Sequence, residues 1–325
     1  MHKYAIALLF AGTALGQNTD RAFILKNSVG AASLKELVTT MRTVAQIYKV
    51  SVDEAASTLA MEGAPDQIAL AEWLVPKMDV TAMSGAGPQE YRAPGNSDDI
   101  VMVYPLEHAA SPVGVQEIIT VIRTVAEIQR VYALTAPRLI VLRGDAGHVA
   151  LARFLLAEAD QAVQPRPSAV VHEFKMDDGK MGTAVAYGLM HADSPRAMQE
   201  TISMLRTVGE IARIFMVTEP KLLAIRGSVG EVKLAEWLMI SEMDTAAAAT
   251  SGNEARVPGP KDDVVHVFYL PHATGVDSLV TGLRATAHIS QIFVNSTPSA
   301  IVLRGTAEQV AAAGRMIESS DQARP

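Results

Sequence analysis

One short motif occurs four times along the chain: Met41-Arg-Thr-Val-Ala-Gln-Ile47, Ile122-Arg-Thr-Val-Ala-Glu-Ile128, Leu205-Arg-Thr-Val-Gly-Glu-Ile211 and Leu283-Arg-Ala-Thr-Ala-His-Ile289. Twenty-one residues after the motif arginines Arg42, Arg123, Arg206 and Arg284 stands a glycine: Gly63, Gly144, Gly227 and Gly305. An acid closes each copy 16 or 17 residues further on, at Asp79, Asp160, Asp244 and Asp321. A fixed spacing held through four copies requires four copies of one supersecondary unit, which restricts the fold more tightly than any compositional property. The units span 20–79, 98–160, 169–244 and 262–321. The stretches between them, 80–97, 161–168 and 245–261, are read as linkers, the first and last for their Gly, Ala, Pro, Ser and Thr, the second as a short Gln/Pro/Arg segment. Ala71-Glu-Trp-Leu74 returns as Ala235-Glu-Trp-Leu238, and Asp98-Asp99 as Asp262-Asp263, both 164 residues later. The four units are thus a duplicated pair.

The fourth copy shows the order of elements within a unit. Val264–Leu270 is β-branched and aromatic and stops before Pro271, as a strand does. Val276, Leu279, Val280, Leu283 and Ala287 fall on one helical face. Gln291–Val294 and Ile301–Leu303 flank Asn295-Ser-Thr-Pro298 and predict two strands around a turn. After Gly305, Thr306 and Gln309 form a capping-box pattern that opens a second helix. Ser228 with Glu231 repeats the box, Asp145 is a cap in the second unit, and Pro65 suits the first helical position in unit one. The expected class is α+β: four tandem β-α-β-β-α units, each a three-stranded sheet covered by two helices. The third unit carries an added hairpin strand, Ala169–Met176, turning at Asp177-Asp-Gly179 into Thr183–Leu189. Unit one has a thin first strand, Phe23–Leu25, and Glu62 where other units have arginine.

Composition narrows the function. The formal net charge of −7 disfavours a nucleic-acid or anionic-membrane partner. With no cysteine in the sequence, disulfides, thiolate metal sites and cysteine nucleophiles are excluded. Residues 1–16 follow a secretory signal: His2 and Lys3, the apolar run Tyr4–Phe10, then small residues at Ala14 and Gly16 with cleavage expected after Gly16. The apolar run falls short of the roughly 20 residues needed to span a bilayer. A periplasmic or secreted location follows as the expectation.

The run Gln291–Val310, closing near Asp321, resembles the short periplasmic N-domains of bacterial secretins, and the resemblance extends more weakly over all four copies. It implies non-catalytic modules that pack side by side into rings and dock protein partners of secretion or pilus machinery. Secretins carry a membrane β-domain after such modules. Nothing after Asp321 is expected to supply one, so the resemblance implies binding or assembly and not a pore.

The candidate site residues are arginines. Arg42, Arg123, Arg206 and Arg284 each follow a core-facing position and should sit at the edge of the first helix. Glu127 and Glu210, four residues beyond two of them, would pair with them for about 0.3 kcal/mol each. Arg143, Arg226 and Arg304 precede the strand-ending glycines. Either set would bridge one unit to the closing acids of the next, or serve a partner. His108, His191 and His272 finish equivalent strands, and Trp73 and Trp237 are assigned to core or inter-unit packing. There is no phosphate-cradling glycine loop, metalloprotease helix or nucleophile elbow, and no cofactor or metal is expected. The expected function is therefore an exported, non-enzymatic interaction scaffold, with a protein partner or self-association. The alternative is a ligand- or peptide-binding protein with a groove between paired units.

Overall fold

The first strand of unit one, β1 (Thr19–Ile24), leads into a helix, α1 (Ala31–Thr40), that continues as a π-helical turn over Met41–Ala45. A hairpin, β2 (Lys49–Asp53) and β3 (Thr58–Gly63), and a second helix, α2 (Pro65–Met78), complete it. In this computed structural model residues 18–28, 30–83, 85–94, 96–162, 169–175, 181–190, 194–239, 254–257, 263–272, 275–296 and 298–321 are described. The expected leader, the Asp177-Asp-Gly179 turn, His191 and Asp244 lie outside them.

The next two units repeat the plan with one strand more. Unit two runs β4 (Gln89–Ala93), β5 (Asn96–Pro105), α3 (Pro112–Thr124), β6 (Arg130–Leu134), β7 (Leu139–Gly144) and α4 (Ala146–Ala159). Unit three runs β8 (Ala169–Lys175), β9 (Met181–Gly188), α5 (Pro195–Thr207), β10 (Arg213–Val217), β11 (Leu222–Gly227) and α6 (Val229–Glu236). The last unit runs β12 (Glu254–Arg256), β13 (Val264–Tyr269), α7 (Val276–Thr286), β14 (Gln291–Asn295), β15 (Ala300–Gly305) and α8 (Ala307–Ser320).

The fold is mixed α+β, with four small antiparallel sheets in the orders β1-β3-β2, β4-β5-β7-β6, β8-β9-β11-β10 and β12-β13-β15-β14. The β-α-β-β-α core order is as expected, but the added strand is not confined to the third unit. β4 and β12 lie inside stretches read as linkers. Gln89-Glu-Tyr-Arg-Ala93 is a polar edge strand bracketed by Pro88 and Pro94, so composition hides a pairing with β5 that only the neighbouring strand supplies.

The start signals act as expected. Asp145, Ser228 and Thr306 accept from the backbone N–H three residues on, and Ser194, which is not among the expected caps, does the same for α5. At two of the strand-ending glycines the capping side chain folds over the backbone. A Cβ on Gly305 would sit 2.9 Å from Gln309 Oε1, which accepts from Thr306 N, and one on Gly227 would sit 2.9 Å from Glu231 Oε2.

Each helix pair covers one face of its own sheet, and those of units one to three also cover the outer face of the next sheet. Leu37, Met41 and Leu74 of unit one share a core with Val101, Val103, Leu134 and Val141 of unit two. Ile118, Leu155 and Ile122 share one with Ala184, Ala186, Val217 and Leu222 of unit three. Met204 and Leu238 share one with Val265, Val267 and Val302 of unit four. The chain is a stack of helix-on-sheet layers.

Candidate functional site

The repeated polar residues gather at the junctions between units. The αL residue that ends each first helix is not glycine: Gln46, Glu127, Glu210 and His288 have φ of 59°, 57°, 56° and 53°. A side chain is kept there despite the backbone cost of about 1 kcal/mol, and in two units it reaches the next layer. Glu127 accepts from Arg226 Nη1 at 2.9 Å and Arg213 Nε at 2.6 Å. Glu210 lies 3.0 Å from Arg304 Nη1 and accepts from Gln291 at 2.6 Å. The expected pairing of these two acids with Arg123 and Arg206 on their own helices is thereby corrected. The αL turn swings residue four out of the i,i+4 ridge and aims it at the following sheet.

The two arginine sets separate. Arg42, Arg123 and Arg206 each donate to a strand carbonyl of their own unit, at Val50, Val131 and Ile214, over 3.4, 3.3 and 3.3 Å. Arg284 is exposed at the matching place on α7. Arg143, Arg226 and Arg304 each donate from Nη1 to a carbonyl of the preceding unit, Val44, Val125 and Val208, all at 3.3 Å. Every one of the latter also has a carboxylate. Arg143 is forked onto Asp99, with Nε at 2.8 Å, Arg226 has Glu127, and Arg304 has both Asp263 and Glu210. The Arg143 guanidinium holds the Asp99 carboxyl below its usual range.

A second junction contact was missed at sequence level. Glu36 accepts from Thr135 N and Oγ1 at 3.0 and 2.7 Å, Glu117 from Thr218 at 2.8 and 2.5 Å, and Glu200 from Ser296 at 3.0 and 2.8 Å. Each glutamate stands six residues before the motif arginine, and each hydroxyl twelve after it. That register was visible in the repeats, although its meaning requires the stack. Aromatic residues ten places beyond the strand-ending glycines also face the next layer: Trp73 lies 5.5 Å from Tyr91, and Phe154 stacks on His172 at 4.9 Å.

The closing acids hold their own unit. Asp79 accepts from the backbone N–H of Lys26, Asn27 and Ser28 at 2.7, 2.9 and 2.7 Å. Asp160 accepts from Glu107, His108 and Ala109 at 2.6, 2.9 and 2.7 Å, and Asp321 from His272 at 3.0 Å. These three tie the second helix to the turn after the first strand of their own unit, and the expected bridge from the arginines of one unit to the closing acids of the next is not formed among the described residues. Two open, polar clefts of about 540 and 550 Å³ lie against Arg304, Asp263 and His288, and against Arg143, Asp99 and His148. Among the described residues no three metal-ligating side chains converge, and no helix is long and apolar enough to cross a membrane.

No protein-family model matches the sequence, and no curated protein matches it. Among solved structures the chain is similar to the ETEC pilotin–secretin AspS–GspD complex at 16% identity and a TM-score of 0.17, over 70% of this chain and 38% of that one. It is similar to Aeromonas hydrophila ExeD at 14% identity and a TM-score of 0.17, over 70% of this chain and 42% of that one. The chain spans about two fifths of the length of these structures.

Proposed function

We propose that this chain is an exported, non-catalytic scaffold of secretin N-domain-like modules that binds protein partners in an envelope secretion or pilus-type assembly. The observation that carries this reading is the use of the recurrent polar residues. Arg143, Arg226 and Arg304, with the glutamates and hydroxyls that recur at fixed spacing, make their contacts across unit junctions, as a building element requires and a catalytic centre does not. In this reading Arg143, Arg226 and Arg304 are unit–unit residues and Arg42, Arg123, Arg206 and Arg284 edge the first helices. Each sheet has two edge strands along the sides of the stack, and such edges accept a strand or pack laterally. Neither nucleic acid nor direct membrane insertion has a place in it.

The test is light scattering over a concentration series, combined with photo-crosslinking from β6 and β10 in the native envelope. A defined oligomer, or a discrete protein adduct from these edges, supports the scaffold. A monomer at every concentration that forms no protein adduct overturns it. The two polar clefts favour the second reading, a groove that takes a ligand or peptide. Saturable peptide binding abolished by Arg304→Ala in an otherwise stable monomer would select that reading.

A further inference from the structure

We infer that the two end faces of the stack are set against further copies of the chain, so that it does not polymerise head to tail. The inference rests on the stacking contacts and holds under either functional reading. Repetition of a head-to-tail contact ordinarily generates open filaments, and among the described residues one chain presents both halves of such a contact, an outer sheet face at unit one and an outer helix face at unit four.

Both halves depart from the internal pattern at the contact positions. On the outer sheet face, units two to four bury Val101, Ala184 and Val265, where unit one has Asp20. Asp53 stands where Leu134 and Val217 are buried, and Thr58 where Leu139 and Leu222 are. The hydroxyl that receives the incoming helix glutamate, Thr135, Thr218 or Ser296, is replaced by Glu54. The arginine that would reach the incoming helix carbonyl is replaced by Glu62, itself paired with Lys49 at 2.6 Å.

At the other end, the helix glutamate of Glu36, Glu117 and Glu200 becomes Ser278. The aromatic of Trp73, Phe154 and Trp237 becomes Arg315, which is exposed. Among the described residues the first sheet also lacks the fourth strand that receives those aromatics in the next unit. A second copy arriving at unit one would meet carboxylates where every internal junction offers a donor or an apolar side chain. It would bring neither the glutamate nor the aromatic that internal junctions use.

The test restores one end at a time. One variant carries Asp20→Val, Asp53→Leu, Glu54→Thr and Glu62→Arg, and the other carries Ser278→Glu and Arg315→Trp. The wild-type chain is expected to show no open-ended growth of mass with concentration by light scattering, and the two variants mixed are expected to form a 1:1 complex of doubled mass. Wild-type mass that climbs without a plateau would overturn the inference. So would variants that keep the wild-type far-UV circular dichroism yet show no 1:1 complex. Should the fourfold variant not fold, Glu54→Thr/Glu62→Arg replaces it with the same readout and the same two outcomes.

Discussion

Arg226 shows how a junction residue is stabilised. It is 7% exposed, donates to the Val125 carbonyl and meets Glu127, which is 38% exposed. Removing either partner leaves the other partly desolvated, so Arg226→Met and Glu127→Gln should each cost about 1–3 kcal/mol in urea unfolding. A double-mutant cycle should show clear coupling between them, whereas Arg123→Met with Glu127→Gln should be additive.

Asp79 sets a pH limit. Burial alone would raise the Asp79 carboxyl, but the backbone N–H groups of Lys26, Asn27 and Ser28 outweigh it and lower it below its ordinary 3.8. A group whose folded pKa is depressed contributes stability that is complete above the ordinary value and lost as the pH falls through the folded one. Thermal unfolding followed from pH 5 downwards, about a unit above the ordinary carboxylate value, should therefore show a loss of stability below about pH 4 that is smaller in Asp79→Asn.

At the scale of an element, the strand–glycine–helix corner is a single device. Gln309 caps Thr306 N at 2.9 Å, folds over Gly305 and donates to the His288 carbonyl at 2.9 Å. Gly305→Ala forces that side chain away and should cost about 1 kcal/mol, the usual value of a lost cap. The same substitution in a Gln309→Ala background should cost less, because the obstructing atom is gone. The cap, the glycine and the apolar period were legible because each is written within about four residues of the element it controls. β4 and β12 were not, because an exposed edge strand needs no apolar alternation and its pairing partner lies outside its own segment.

Across the whole molecule, stability is a sum of unit terms and junction terms. Glu117→Ala with Arg226→Met weakens the middle junction on both sides of its shared core and leaves the units' own sheets intact. Chemical unfolding of the wild type should be more concerted than that of this variant, which should separate into two transitions when followed by intrinsic fluorescence and circular dichroism. Trp73 and Trp237 report from opposite sides of that junction. A variant with one unbroken transition would show that the apolar layer alone couples the halves.

The β-α-β-β-α core order, the starts of the second helices and the replacement of arginine by Glu62 follow from the residues, because period and capping are local. The pairing of Glu127 with Arg226, of Glu117 with Thr218 and of Glu210 with Arg304 joins residues 99, 101 and 94 positions apart. Such contacts exist only once one helix layer lies on the next sheet. The same arginine-rich spacing is compatible with solvated helix edges, own-unit pairs or bridges. The stack selects among these because a buried guanidinium must find carbonyl and carboxylate partners in whichever layer covers it.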